Sequence, residues 1–390
     1  MSQFLSLSLL QWLVLIPVVI GTLYGLIGLV MNLSFWSRRT PLGAPALSEW
    51  PPVTILKPVH GLEKDLEQNL RSTCLQDYPV FQVVCSVQRA GDPALPLLQH
   101  LQQEFGSERV TVAIEERRAG PNGKINNLLG ALAHARHEML VISDSDVQLR
   151  PDYLKTIVAP LADPDVGYVC TLYRAVRAER WFEKLELLTI NAEFTPSAVF
   201  TAMSGLANFC LGASTAIRRT SLQRIGGLES LADYLVEDYE MGRRLWTSGK
   251  RPVIVPYLVD TVVDLKTPRQ WWDHQVYWEQ NSRAACPGKV FASVLGRPLP
   301  FALLFALLRP DILGLVLLAT ALVIRLGTAG VVMRYCLDDR NDLRSLLLLL
   351  PFRDIAALVS WALAFTKRTT IWRGTTFTLT RDGRLVSQEI

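Results

Sequence analysis

An uninterrupted apolar run covers residues 9–35 and contains no charged side chain. A helix of that length crosses a bilayer core of roughly 30 Å, so the run predicts a transmembrane segment. A cleaved signal peptide is the competing reading, but it requires a basic start and a shorter apolar region, whereas here Arg38 and Arg39 follow the run. By the positive-inside rule those two arginines put the following domain on the cytoplasmic side. Two further apolar blocks cover 298–333 and 346–365, separated by a charged stretch over 334–344. They predict about two more passes. Arg309, Asp311, Arg325, Arg353 and Asp354 interrupt them, and such residues are costly against lipid and face a cavity, a partner or the interface instead.

Between the apolar blocks, residues 49–283 alternate short β-branched runs with helical patterns, as an α/β domain does. Strands are expected over 53–56, 80–87 and 138–143, with helices over 63–76 and 124–134. A sheet of this kind receives ligands at the carboxyl ends of its strands. The expected organisation is an anchor over 1–40, an α/β domain over 49–285, a membrane region over 290–366 and a cytoplasmic tail over 367–390.

Composition agrees with partial membrane embedding: 49% of the 390 residues are hydrophobic and the mean hydropathy is +0.22. The net charge of +4, from 40 basic and 36 acidic residues, leaves no electrostatic footprint for nucleic acid. Cys74, Cys85, Cys170, Cys210, Cys286 and Cys336 form no CxxC pair, which predicts reduced, buried thiols rather than a zinc cage or disulfide scaffold. The five histidines form no metal signature; His134 and His137 read as a solvated pair at a helix end.

Four segments carry candidate chemistry. Val141-Ile142-Ser143-Asp144-Ser145-Asp146 ends an apolar strand in two carboxylates one residue apart. Paired oxygen donors there suit a hard divalent cation that completes its shell with water and phosphate oxygens. Plain turns and helix caps use Asp-x-Asp as well. Val236-Glu237-Asp238-Tyr239-Glu240 opens a helical pattern. Its carboxylate is either a general base for an acceptor hydroxyl or an acid that favours the helix macrodipole. Gly120-Pro121-Asn122-Gly123-Lys124-Ile125-Asn126-Asn127 is a turn opening into a helix, either a phosphate-receiving start or an ordinary capped turn. Residues 269–278 are aromatic and polar just before the membrane block, and an interfacial tryptophan belt explains them equally well.

The order of these segments resembles the ceramide glucosyltransferase family, family 21 among the family 2-like inverting glycosyltransferases. Thr54-Ile55-Leu56-Lys57-Pro58 looks like the family's first strand, and Asp92-Pro93-Ala94 falls where its first aspartate lies. Lys124-Ile125-Asn126-Asn127-Leu128 is similar to its lysine-asparagine segment, Asp144 to its second aspartate, Glu237-Asp238 to its third, and Ile371-Trp372-Arg373-Gly374 to its ending. The resemblance implies a GT-A fold and a UDP-sugar donor at Lys57, Pro58, Asp92, Lys124, Asn126 and Asp144. It further implies a divalent cation, Mg2+ or Mn2+, on Asp144 and Asp146, with Asp238 as catalytic base in one direct displacement.

One departure stands out. Where the family carries Gln/Arg-x-x-Arg-Trp, this chain has His274-Gln275-Val276-Tyr277-Trp278. Those positions, His274, Gln275, Tyr277 and Trp278, with Arg283 as the substitute cation, are the implied acceptor or diphosphate contacts. With Trp271-Trp272 before it, this variant looks like the bacterial branch associated with hopanoid biosynthesis, whose members transfer N-acetylglucosamine to bacteriohopanetetrol. A membrane lipid acceptor, hopanoid or ceramide-like, receiving N-acetylglucosamine or glucose, is the expected substrate. A processive polysaccharide synthase and a non-catalytic lipid-binding protein with a decayed transferase domain are the competing readings.

Overall fold

The computed structural model describes residues 7–39, 47, 49–366, 369–372, 375–380 and 382–387. Two compact units emerge, each assembled from separated parts of the chain. The α/β unit comprises Arg38–Ala175, Ser204–Asp264 and Ile371–Ile390, and the helical unit Met1–Ser37, Val176–Met203 and Leu265–Thr370. Residues 176–203 and 265–285 cluster with the helices.

The α/β unit is built on an eight-stranded mixed sheet of order β3-β2-β1-β4-β7-β6-β8-β5. Its strands are β1 (Val53–Pro58), β2 (Phe81–Val87), β3 (Val110–Ile114), β4 (Met139–Ser143), β5 (Val147–Gln148), β6 (Val166–Val176), β7 (Ser214–Arg218) and β8 (Arg251–Val262). β1 pairs in parallel with β2 and β4, and β2 with β3. Every residue of β1 and β2 is buried, which is why both read as continuous apolar runs rather than alternating ones. β7 runs antiparallel to β4, pairing Ser214 with Ser143, so the loop before β7 lies at the carboxyl end of β4. β8 runs antiparallel to β5 and pairs Thr261 with Val147. Chain reversals thus bring distant loops to the strand end that carries Asp144.

Part of the expected tail is folded. Two strands, β10 (Thr375–Leu379) and β11 (Leu385–Ser387), follow β9 (Thr369–Trp372) and pair antiparallel with each other. Leu385 N–H donates to the Asp233 carbonyl at 2.7 Å and Leu235 N–H to the Gly383 carbonyl at 3.1 Å. The hairpin is thereby pinned to the loop that leads into the helix of Asp238. Arg373 and Gly374 of the family-like ending lie outside the described residues.

Among the described residues of the helical unit, three helices are long and apolar enough to cross a membrane: Leu9–Trp36, Ile312–Cys336 including its π-helical last turn, and Leu343–Thr366. The apolar segment before them is a bent pair, Pro287–Gly296 and Pro298–Leu308, at 53°. The charged interruptions are paired. Arg325 makes two bonds to Asp354, at 2.8 and 3.0 Å, Arg353 lies 3.2 Å from the same carboxylate, and Arg309 lies 2.7 Å from Asp311. A π-helical turn over Ile190–Phe194 widens the long helical segment before Met203, and the Ala192 carbonyl in it accepts from Arg325 at 3.1 Å. All six cysteines are free, five of them buried, as the sequence predicts.

Candidate active site

Lys124 is the centre of the acidic cluster. It sits in the first turn of the helix Gly123–Ala133, whose start is fixed by Asn122: the Asn122 side chain accepts from Ile125 N–H at 3.0 Å. The Lys124 ammonium reaches Asp144 Oδ1 at 2.7 Å, Glu237 Oε1 at 3.2 Å and the Gly212 carbonyl at 3.2 Å. Its three N–H bonds thus meet three acceptors from three different loops. Burial disfavours the ammonium, but the charges of Asp144, Glu237 and Asp238 outweigh burial and raise its pKa.

Asp238 stands in the first turn of the helix Glu237–Thr247. Its Oδ1 accepts from Tyr239 N–H at 2.7 Å. A Cβ on Gly212 would lie 2.8 Å from Asp238 Oδ2 and 3.3 Å from Lys124 Nζ, so the bare glycine lets that loop approach both groups without displacing them. Gly242 serves the same end lower in the helix, where a Cβ would lie 2.2 Å from Cys210 N. Burial, then the neighbouring Glu237 charge, pushes the Asp238 carboxyl up to about 7, against the opposing pull of Lys124. Glu237, absent from the expected site residues, is a clamp: Oε1 meets Lys124 and Oε2 accepts from Asn122 Nδ2 at 3.0 Å. Nothing in a linear pattern marks that contact, since its partners lie more than a hundred residues away.

Asp144 and Asp146 leave the end of β4 together. Asp144 N–H donates to the Ala213 carbonyl at 3.1 Å, and Asp146 Oδ2 accepts from Thr261 at 2.9 Å. Burial and the adjacent Asp144 charge raise the Asp146 carboxyl above the ordinary carboxylate range. Among the described residues no group of three or more His, Cys, Asp or Glu side chains is arranged to hold a metal ion by itself. Two anchored hard oxygen donors without a full protein cage fit magnesium or manganese, which takes one or two carboxylates and fills its shell with water and substrate phosphate.

Several expected contacts have other partners. Lys57 is fully buried and donates to Ser143 Oγ at 3.0 Å and the Asp144 carbonyl at 2.7 Å. Burial lowers its pKa to about 8. It ties β1 to the strand end of Asp144, and Pro58 beside it is buried too. Asp92, after β2, accepts from Gly61 N–H at 3.0 Å and Ala94 N–H at 2.9 Å, and its Oδ2 lies 3.6 Å from His60 Nδ1. Asn126 staples its own turn, accepting from Ala119 N–H and donating to the Gly120 carbonyl, both at 2.9 Å. These three polar residues shape the carboxyl edge of the sheet from beneath.

The aromatic stretch lies in the helical unit, on the helix Pro268–Ala285. Trp278 Nε1–H donates to His274 Nε2 at 3.0 Å, and because the indole is a donor only, the ring proton of His274 sits on Nδ1, 2.9 Å from Glu186 Oε1. Gln275 donates to Glu186 Oε2 at 2.7 Å and accepts from Thr189 at 2.8 Å. His274, Gln275 and Trp278 therefore form an internal network with Glu186 that engages both imidazole nitrogens. Tyr277 stacks near His274, with ring centroids 6.1 Å apart, and Arg283 lies in the last turn of the same helix.

A mixed sheet whose parallel half ends in an acidic cluster of this kind is the architecture of a GT-A domain. The chain belongs to glycosyl transferase family 21, whose sequence model matches residues 13–385. Among curated proteins it is similar to ceramide glucosyltransferase 1 of Caenorhabditis elegans, at 25% identity over 209 residues, covering 52% of this chain and 44% of that one. It is also similar to the ceramide glucosyltransferase of Candida albicans, at 30% identity over 121 residues, 28% of this chain and 22% of that one. The matched part thus spans less than half the length of these relatives. Among solved structures, the mannosyltransferase PcManGT from Pyrobaculum calidifontis, in complex with GDP-Man and Mn2+, is similar at 19% identity and a TM-score of 0.49, covering 89% of this chain and 99% of that one. S. aureus TarS in complex with UDP-GlcNAc is similar at 15% identity and a TM-score of 0.39, with coverages of 87% and 100%. Membership of the family rests on the sequence match.

Proposed function

We propose that this chain is an inverting lipid glycosyltransferase that moves one sugar, N-acetylglucosamine or glucose, from a UDP-sugar to a hydroxyl of a membrane lipid, hopanoid or ceramide-like. The observation that carries the reading is the convergence of Asp144, Glu237 and Asp238 on Lys124 at the carboxyl end of β4. Family 21 membership supports the reaction class, and the three membrane-length helices support a lipid acceptor.

In this reading the donor diphosphate lies at the end of β4, beside Asp144, Asp146 and the start of the Lys124 helix. Asp144 and Asp146 would hold a divalent cation, which would supply charge neutralisation for the departing diphosphate. Asp238 takes the acceptor proton, the acceptor oxygen bonds to the anomeric carbon, and the bond to the diphosphate oxygen breaks with its electron pair leaving on UDP. One displacement from the opposite face inverts the anomeric centre. Lys57 and Glu237 act through others, the first by fixing β4 and the second by steering Lys124. The cytoplasmic side of a bacterial inner membrane, where the donor is available, is the corresponding location.

Membranes containing the protein, incubated with labelled UDP-glucose or UDP-N-acetylglucosamine and total lipid, are expected to yield a lipid one hexose or N-acetylhexosamine heavier by mass spectrometry. A ladder of longer products would replace this reading with a processive synthase. No transfer and no donor hydrolysis with any lipid extract would leave the non-catalytic alternative standing.

A further inference from the structure

By length and composition the helix Leu343–Thr366 qualifies as a membrane span, yet the path of the chain brings both of its ends to one side. The helices before it set the direction. Gln11 Nε2 donates to the Leu308 carbonyl at 3.3 Å, and a Cβ on Gly21 would lie 2.8 Å from Pro298 Cδ, so Pro298–Leu308 runs back along Leu9–Trp36 toward its start. The next helix returns: Ala321 shares an apolar cluster with Val18, and the last turn, Val332–Cys336, packs beside Leu9–Trp36. Trp36 and Cys336 therefore reach the same face of the membrane, and from that face the chain enters the α/β unit at Arg38.

Leu343 starts from the same face. Asp339 before it and Ser345 after it are held by Asn191 and Lys184, each at 2.9 Å, in a segment that leaves the α/β unit at Ala175 and rejoins it at Ser204. Beyond the other end, the Thr369 carbonyl accepts from Gln280 at 3.0 Å, and the chain re-enters the α/β unit at Ile371. A unit with loops and open sheet edges stays out of hydrocarbon, so a segment that leaves it and returns makes an even number of crossings. The bent pair over 287–308 going out and Ile312–Cys336 coming back complete that number. Basic residues flank Leu343–Thr366 on both sides, Arg340 and Arg344 before and Lys367 and Arg368 after, the charge pattern of a segment with both ends in the cytoplasm.

The two faces of the helix differ accordingly. Arg353, Asp354 and Ser360 are buried on one, where Arg325 bonds Asp354 at 2.8 Å. On the other, Leu348, Phe352, Ile355 and Val359 recur every three or four residues and are 42–76% exposed. An apolar stripe backed by a polar face is the pattern of a helix lying flat on a membrane. Rings gather along it: Phe352 lies 6.3 Å from Trp271, and Phe291 and Phe365 lie 6.0 and 5.1 Å from Trp361. Aromatic rings favour headgroup depth.

We infer that Leu343–Thr366 does not cross the membrane but docks in its plane, with Leu348, Phe352, Ile355 and Val359 in the headgroup–acyl boundary of the leaflet that faces the α/β unit.

Single cysteines at exposed sites test this, because five of the six native cysteines are buried and the parental chain sets the background. In sealed membrane vesicles of one orientation, an impermeant maleimide is expected to label Arg340→Cys whenever it labels Ser107→Cys on the α/β unit, and to reach Pro310→Cys only from the other face. Pro310→Cys labelled together with Ser107→Cys, and Arg340→Cys only from the other face, would make Leu343–Thr366 a crossing helix and overturn the inference. Spin labels on Leu348→Cys, Phe352→Cys, Ile355→Cys and Val359→Cys, in nanodiscs of phosphatidylethanolamine and phosphatidylglycerol, read depth by collision with oxygen and with a water-soluble nickel chelate. All four are expected at one shallow depth, about 5–10 Å into the boundary. A steady change of about 1.5 Å per residue along the series would again mean a crossing helix. Labels reached chiefly by the nickel chelate would place the stripe in water, and labels broadened by one another between copies would place a second chain on it; either result overturns docking on lipid.

Discussion

The two units of this chain each carry a cluster of buried and half-buried charges, and the clusters are balanced differently. Around Lys124, four carboxyl groups, Asp144, Asp146, Glu237 and Asp238, face two ammonium groups, Lys124 and Lys57. In the helical unit, three guanidinium groups, Arg297, Arg325 and Arg353, face three carboxylates, Glu193, Glu279 and Asp354. A surplus of negative charge at a strand end raises proton affinity and leaves a deficit that a divalent cation relieves. A closed balance among helices of membrane length removes the cost of charge in an apolar setting and leaves nothing to attract an ion. One cluster carries surplus negative charge and the other a closed balance.

Removing cation from the unbalanced cluster should have the largest consequence. Chelation, or Asp144→Asn together with Asp146→Asn, is expected to lower transfer by several kcal/mol of activation free energy, about three orders of magnitude. Assay of sugar transfer with added chelator, then with restored Mn2+, checks this; full activity in chelator would remove Asp144 and Asp146 as metal ligands. In the balanced cluster, Asp354→Leu leaves Arg325 and Arg353 without their shared carboxylate. The expected loss is about 3–5 kcal/mol of stability, read as a lower unfolding midpoint in detergent. The same variant with unchanged stability would contradict the view that this balance is structural.

Smaller effects sharpen the comparison. Burial and Glu237 hold the Asp238 carboxyl protonated up to about 7. Its base form therefore grows as pH rises through that value. The pH profile of kcat/KM should show an acid limb that falls about tenfold per unit below the midpoint and levels above it. A rate that stays flat down to pH 5 would argue against Asp238 as the base. Glu237→Gln removes the neighbouring negative charge, so the acid limb should move to lower pH, by less than about one unit. Movement to higher pH would show that Glu237 acts chiefly through Lys124.

Much of the α/β unit is legible in the sequence because its parallel strands are buried on both faces and write themselves as apolar runs. The expected strands over 53–56, 80–87 and 138–143 correspond to β1, β2 and β4, and the pair Asp144 and Asp146 falls at the expected strand end. What escapes the pattern depends on chain reversals. Antiparallel β7 carries Gly212 to Asp238, antiparallel β8 carries Thr261 to Asp146, and a hairpin after residue 375 grips the loop at Asp233 and Leu235. Lys57, Asp92 and Asn126 are polar residues in family-like segments, and their partners within the chain are backbone groups, Ser143 and His60. A residue type at a motif position does not distinguish touching a ligand from holding the residue that does. His274 and Trp278 make the same point, because only the coordinates reveal that Glu186 and the two rings satisfy one another.

The central claim is that Asp238 removes the acceptor proton. Asp238→Asn keeps the side chain's size and removes its basicity, so donor binding by calorimetry and product formation by mass spectrometry can be read on the same preparation. The account predicts UDP-sugar affinity close to that of the unaltered chain and transfer reduced by about 10²–10⁴-fold. Unchanged turnover in Asp238→Asn would contradict it.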